Sequence, residues 1–110
     1  MSPTPSIRAV FSRRLKERRL SAKLSQRGLG VSVGLPEDVA GVRINRYERN
    51  VHACDAETAQ RIAETLGVSV AYLYAETDEL AEMIEQFRQM SITEQQNLLA
   101  QLRGRNKSGK

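Results

Sequence analysis

The stretch "DAETAQRIAETLGVS", Asp55 to Ser69, constrains the fold more than any other part of the chain. Asp55 stands where a helix N-cap takes up the first free backbone N–H groups. Ala59, Ile62, Ala63 and Leu66 then recur with the 3.6-residue period of one buried face until Gly67 supplies a stop. Ser69 opens a further short helix, Val70 to Tyr74. A chain punctuated in this way must pack helix against helix.

The same punctuation recurs along the sequence. Thr4 can cap a first helix with Pro5 at its first position, and Ile7, Val10, Phe11 and Leu15 share its buried face as far as about Arg19. Arg8, Arg13, Lys16 and Arg18 occupy the other face. Ser25 caps a second helix that starts at Gln26, buries Leu29 and Val33, and ends at Gly34-Leu35-Pro36. A third contains "RINRYE", Arg43 to Glu48, and "RNVHACD" reads as a loop. Thr77 precedes "DELAEMIEQFRQM", where Leu80, Met83, Ile84 and Phe87 form an apolar stripe. "SITE", Ser91 to Glu94, has capping-box spacing and opens a last helix to about Arg103, carrying Ile92, Leu98, Leu99 and Leu102. Gly104 lies beyond it, followed by a polar, basic tail. No stretch reads as a strand, so the fold class is all-α.

"RGLGVSVGL", Arg27 to Leu35, spaces Gly28, Gly30 and Gly34 much like a nucleotide-binding loop. Such a loop needs a strand before it and a helix after it. Here a basic helix and a capped helix start precede it, which excludes the dinucleotide reading. Gly28 and Gly30 then lie inside a helix at a cost of about 1 kcal/mol each. Gly30, next to the buried Leu29, would repay this by letting another helix approach closely.

Charge is segregated along the chain. Residues 1–50 carry eleven Lys/Arg against four Asp/Glu, residues 51–102 carry two against nine, and residues 103–110 add four basic groups, giving the net +4. A positive first half attracts a polyanion even where the total charge is modest. No apolar run approaches the ~20 residues needed to span a bilayer. The N-terminus lacks the pattern of a secretory signal, so a cytoplasmic location is expected. Cys54 and His52 alone fall short of a zinc site and read as loop residues, and neither a metal nor a cofactor is expected. No Ser/Cys-His-Asp set or carboxylate pair offers acid–base chemistry, so an enzyme is not expected.

"FSRRLKERRLSAKLSQRGLG", followed by "RINRYERN" and "ETAQRIAETLGVSVAYLY", resembles the lambda-repressor-like helix-turn-helix family, also called the Cro/XRE type. The resemblance covers about Ser6 to Tyr74. It implies a five-helix DNA-binding domain over residues 1–75, to which this chain adds two C-terminal helices. The implied function is a sequence-specific transcriptional regulator, a repressor binding a palindromic operator in double-stranded DNA as a homodimer. The alternative is an antitoxin or adaptor with a toxin or other protein partner and secondary DNA binding. By resemblance, Gln26 touches the DNA backbone and braces the recognition helix, with Arg27 beside it. Ile44 and Tyr47 are buried, and Glu48 with Arg14 forms a pair tying the recognition helix to the first. Val42, Arg43, Asn45, Arg46 and Arg49 then face DNA, where guanidinium suits guanine and an amide suits adenine.

The chain also departs from the family pattern. Gly34 to Gly41 exceeds the usual turn of about 3–4 residues, and it contains Glu37 and Asp38, which phosphate would repel. This connection is expected to bend away or form a turn of its own. Cys54 stands where a proline is frequent, and Asn50 where a glycine is usual. Residues 76–103 are expected to be a helical dimerisation element through Leu80, Met83, Ile84, Phe87, Leu98, Leu99 and Leu102, with 104–110 a flexible basic tail. The competing reading is that these helices fold back to complete their own core.

Overall fold

Helix starts in this chain are set by short polar side chains one turn ahead of free N–H groups. The computed structural model describes residues 6–108 as seven helices: α1 Ile7–Ser21, α2 Gln26–Ser32, α3 Ala40–Glu48, α4 Ala56–Leu66, α5 Val70–Leu73, α6 Asp78–Arg88 and α7 Ile92–Ser108. Ser25 Oγ accepts from Gly28 N at 2.8 Å, and Asp55 Oδ2 accepts from Thr58 N at 3.1 Å. Hydrogen bonding from the Thr58 side chain, and then from its backbone N–H, holds the Asp55 carboxyl below its ordinary value. The stability this adds is therefore present at neutral pH and is lost as pH falls through the lowered value. Ser69 and Thr77 cap α5 and α6 in the same way. Ser91 and Glu94 close a reciprocal capping box, with Ser91 N donating to Glu94 Oε1 at 2.8 Å.

Helix ends follow one rule as well. After α2, Gly34 takes φ 90°, its N–H donates to Val31 O, and Leu35 N donates to Gly30 O, which turns the chain with its last carbonyls satisfied. Lys23 (φ 60°) does the same after α1 and Asn50 (φ 58°) after α3. Asparagine tolerates this left-handed region, which explains how Asn50 replaces the usual glycine.

Phe11 and Leu15 of α1, Leu29 of α2, Val33, Ile44 and Tyr47 of α3, Ile62, Ala63 and Leu66 of α4 and Leu73 of α5 form the core. Phe11 stacks on Tyr74 with ring centroids 5.0 Å apart. Neither α6 nor α7 contributes to this cluster. Ala81 of α6 is nevertheless buried, whereas no residue of α7 from 92 to 107 is.

Several boundaries differ from expectation. Ser6 caps α1, its Oγ accepting from Ala9 N; the expected cap Thr4 and Pro5 lie outside the described residues. Ile7, expected in the core, is exposed because the helix begins there and no other element covers its first turn. Helix α1 runs to Ser21, two residues beyond expectation. The third helix starts at Ala40, three residues before Arg43, with Val39 ahead of it making no side-chain cap. Helix α7 continues through Gly104 to Ser108 instead of stopping near Arg103, so residues 104–108 are helical and not a tail. One helical glycine costs about 1 kcal/mol, too little to end a helix by itself.

Gly30 has the role expected of it. A Cβ there would sit 2.7 Å from both the Cβ and the carbonyl oxygen of Ala40, so α2 and α3 cross at a distance only glycine permits. Gly30→Ala is expected to cost about 1–3 kcal/mol by overpacking. Urea denaturation checks this, and an unchanged midpoint would mean that the two helices separate without cost.

Candidate nucleic-acid interface

Helix α3 divides cleanly into two faces. Ala40, Ile44 and Tyr47 recur at i, i+4 and i+7 and are buried, and Tyr47 O accepts from the Ser12 hydroxyl of α1 at 2.6 Å. Val42, Arg43, Arg46 and Arg49 are exposed on the opposite side, and Asn45 is half-buried. Among the described residues, Arg8, Arg43, Arg46 and Arg49 join no salt bridge, leaving their guanidinium groups free for an external anion.

The buried end of α3 is pinned by Glu48, whose side chain is 2% exposed. Its carboxylate accepts from Arg19 Nε, from Arg19 Nη2 at 3.1 Å and from Gln26 Nε2 at 3.1 Å. Arg19 also donates to Leu24 O. The bond to Glu48 raises the Arg19 guanidinium above its ordinary value, against the opposing effect of burial. The partner of Glu48 is therefore Arg19, not Arg14. Arg19 continues the Phe11, Leu15 stripe at four-residue spacing and so points at α3, while Arg14 points toward the end of α5. Gln26, fixed to Glu48, keeps its amide oxygen for other partners.

Two shallow clefts flank α3. One is lined by Arg27, Glu37, Asp38, Gly41 and Val42. Here the long α2–α3 connection turns at residues 37–39, closed by Val39 N donating to Pro36 O, and Glu37 pairs with Arg27 at 2.9 Å. The acidic turn thus stays beside the recognition helix, its nearer carboxylate neutralised by Arg27. The other cleft brings Arg8 from α1 and His52 from the α3–α4 loop to Arg43 and Arg46. Sequence reasoning assigned neither Arg8 nor His52 to the site: Arg8 is 35 residues from Arg43 and only the fold brings it there, while His52, close in sequence, reads as a loop residue. Cys54 packs half-buried against the core. Burial, and then Asp55, push its thiol up to about 12, so it is protonated at neutral pH.

An outward arginine face on a helix whose inward face is locked to two others is the geometry of a helix-turn-helix. A helix-turn-helix family model of the Cro/C1 type matches residues 15–73, more than half of the chain. The chain belongs to the helix-turn-helix family. Its fold is lambda-repressor-like, and membership makes it a DNA-binding transcriptional regulator and not an enzyme. Among solved structures it is similar to the transcriptional regulator BswR, with 36% identity and a TM-score of 0.74 over 84% of this chain and 92% of that one. A search of curated proteins finds no match. In this helix-turn-helix protein α2 and α3 are the two helices that meet at the Gly30–Ala40 crossing. No described helix is long and apolar enough to cross a membrane.

Proposed function

We propose that this helix-turn-helix protein is a cytoplasmic repressor that binds a palindromic operator as a homodimer. The observation that carries DNA reading is the set of unpaired arginines on the outward face of α3, whose inward face is fixed by Glu48 and Tyr47. Arg43, Arg46 and Asn45 address base edges, Val42 meets thymine methyls, and Gln26, Arg27, Arg49 and Arg8 meet phosphate. Dimerisation rests on the apolar cleft between α6 and α7, where Met83, Ile84, Phe87, Leu98, Leu99 and Leu102 gather without a covering element. A two-fold dimer would place two copies of α3 on half-sites about 34–36 Å apart on one DNA face.

In-vitro selection from random duplexes tests the proposal, with a palindrome as the expected product. Arg43→Ala or Arg46→Ala is expected to relax base preference at one position per half-site, each bidentate contact contributing about 1–3 kcal/mol of discrimination. Arg8→Ala is expected to leave the preferred sequence unchanged and to flatten the salt dependence, by about 0.9 log unit per log salt for each phosphate that is no longer neutralised. Parent-like discrimination in both α3 variants would remove α3 from the recognition role.

A further inference from the structure

Helix α6 lies outside the core, yet it is fastened at both ends. At its start Arg14 of α1, 3% exposed, donates through Nε and Nη2 to the carbonyl of Ala75 at 3.1 and 2.8 Å and through Nη1 to Asp78 Oδ1 at 3.2 Å. Its guanidinium also lies 5.5 Å from the Tyr72 ring centroid. At its end Glu85 Oε2 accepts from Ser69 N at 2.9 Å, and Arg88 donates both to Gly67 O and to Glu85. Ala81 is buried between the two fastenings. Helix α7 is held differently: Gln95 donates to Phe87 O, and none of its residues from 92 to 107 is buried.

We infer that α6 is a rigid strut setting the separation of the two recognition helices in the dimer, and that Arg14 is its positioning residue. This rests on the dimer reading above. A planar guanidinium that holds one carbonyl by two bonds and a carboxylate by a third fixes the direction of the backbone from 75 to 78, which a lysine, with its point charge, does not. That direction matters because of leverage. An 11-residue helix is about 16 Å long. A tilt of about 12° therefore displaces its far end by about 3.4 Å, one base-pair step. Half-site spacing is accordingly written at Arg14 and at the Glu85–Arg88 clasp, well away from any base contact.

The test uses the full chain and duplexes built from the half-site recovered by selection, at the selected spacing and at one and two base pairs either side. The parent is expected to lose about a hundredfold or more in affinity off its spacing, since mismatched geometry forfeits the second half-site. Arg14→Lys, and separately the double variant Glu85→Ala with Arg88→Ala, are expected to stay dimeric by light scattering and to bind an isolated half-site as the parent does. Their preference among spacings is expected to shrink to about threefold, as a loosened linkage reaches several geometries. Should Arg14→Lys fail to fold, the double variant decides alone. Folded, dimeric variants that keep the parent's spacing preference would overturn the strut and leave the dimer standing. A dimeric parent indifferent to spacing would likewise overturn the strut alone, whereas a monomeric parent would overturn the dimer reading and the strut with it.

Discussion

Glu48→Ala is expected to destabilise the protein by about 3–5 kcal/mol, the cost of breaking a buried ion pair from one side. The carboxylate receives three hydrogen bonds, two from Arg19 and one from Gln26, and it is almost wholly enclosed. Removing it leaves the Arg19 charge buried, with the neutral carbonyl of Leu24 as its acceptor among the described residues. A small domain has about 5–15 kcal/mol in total, so the loss is a large fraction of what holds it folded. Glu57→Ala is the control: Glu57 is exposed in the first turn of α4 and interacts favourably with the helix dipole by only about 0.3–1 kcal/mol. Urea denaturation of both variants checks the contrast. Equal midpoints would show that Glu48 does not hold α3 to α1. Because the same carboxylate orients Gln26, surviving folded Glu48→Ala protein is also expected to bind DNA more weakly at every sequence.

Local chemistry is legible in the sequence, and long-range geometry is not. Ser25, Asp55, Ser69, Thr77 and Ser91 announce helix starts because a cap acts on N–H groups two or three residues away. Gly67 and Gly34 announce ends for the same reason. Lys23 and Asn50 end α1 and α3 through the same hydrogen bonds without a glycine to mark them. The start of α3 at Ala40 carries no mark, since Val39 offers no capping group and tertiary packing against Gly30 holds that turn. The composition of the site behaves likewise. The apolar spacing of Ile44 and Tyr47 predicts which face of α3 turns outward, and therefore Arg43 and Arg46. The resemblance implies Arg14 as the partner of Glu48, whereas the four-residue spacing from Phe11 and Leu15 puts Arg19 on the face of α1 that meets α3. Arg8 and His52 join the recognition face although they stand more than forty residues apart in the chain.

Removal of residues 91–110 is expected to convert a dimer into a folded monomer and to weaken operator binding by about 10²–10⁴-fold, the advantage of holding two half-sites at once. The cut belongs after Met90 and not after Ala75, where the family resemblance places the domain boundary. Cutting at 75 would strip Arg14 of Asp78 and remove the Glu85 and Arg88 bonds to the α4–α5 turn, confusing instability with loss of association. Cutting at 90 removes α7 and its capping box, and with them the bond from Gln95 to Phe87 O of α6, and keeps every bond of Arg14, Glu85 and Arg88 named above. What α6 and α7 together offer is apolar area: Leu99 and Leu102 are 38% and 40% exposed, beside Met83 at 54%. Burying such a side chain contributes about 1.5–3 kcal/mol when complete; with roughly half of that still to be gained at each of several residues, counted twice by symmetry, the gain is comparable to the roughly 4–15 kcal/mol entropic cost of association. Glu76, Asp78, Glu79 and Glu82, all exposed at the start of α6 or just before it, would repel phosphate and favour a position turned away from the duplex. Light scattering on the full chain and on residues 1–90, with circular dichroism to show that the shorter form is folded, measures both halves of the expectation. A full chain that is monomeric, or a truncated one that remains dimeric, would place the dimer interface elsewhere; α5, with Val70 39% exposed beside the strut, would then be the next face to mutate.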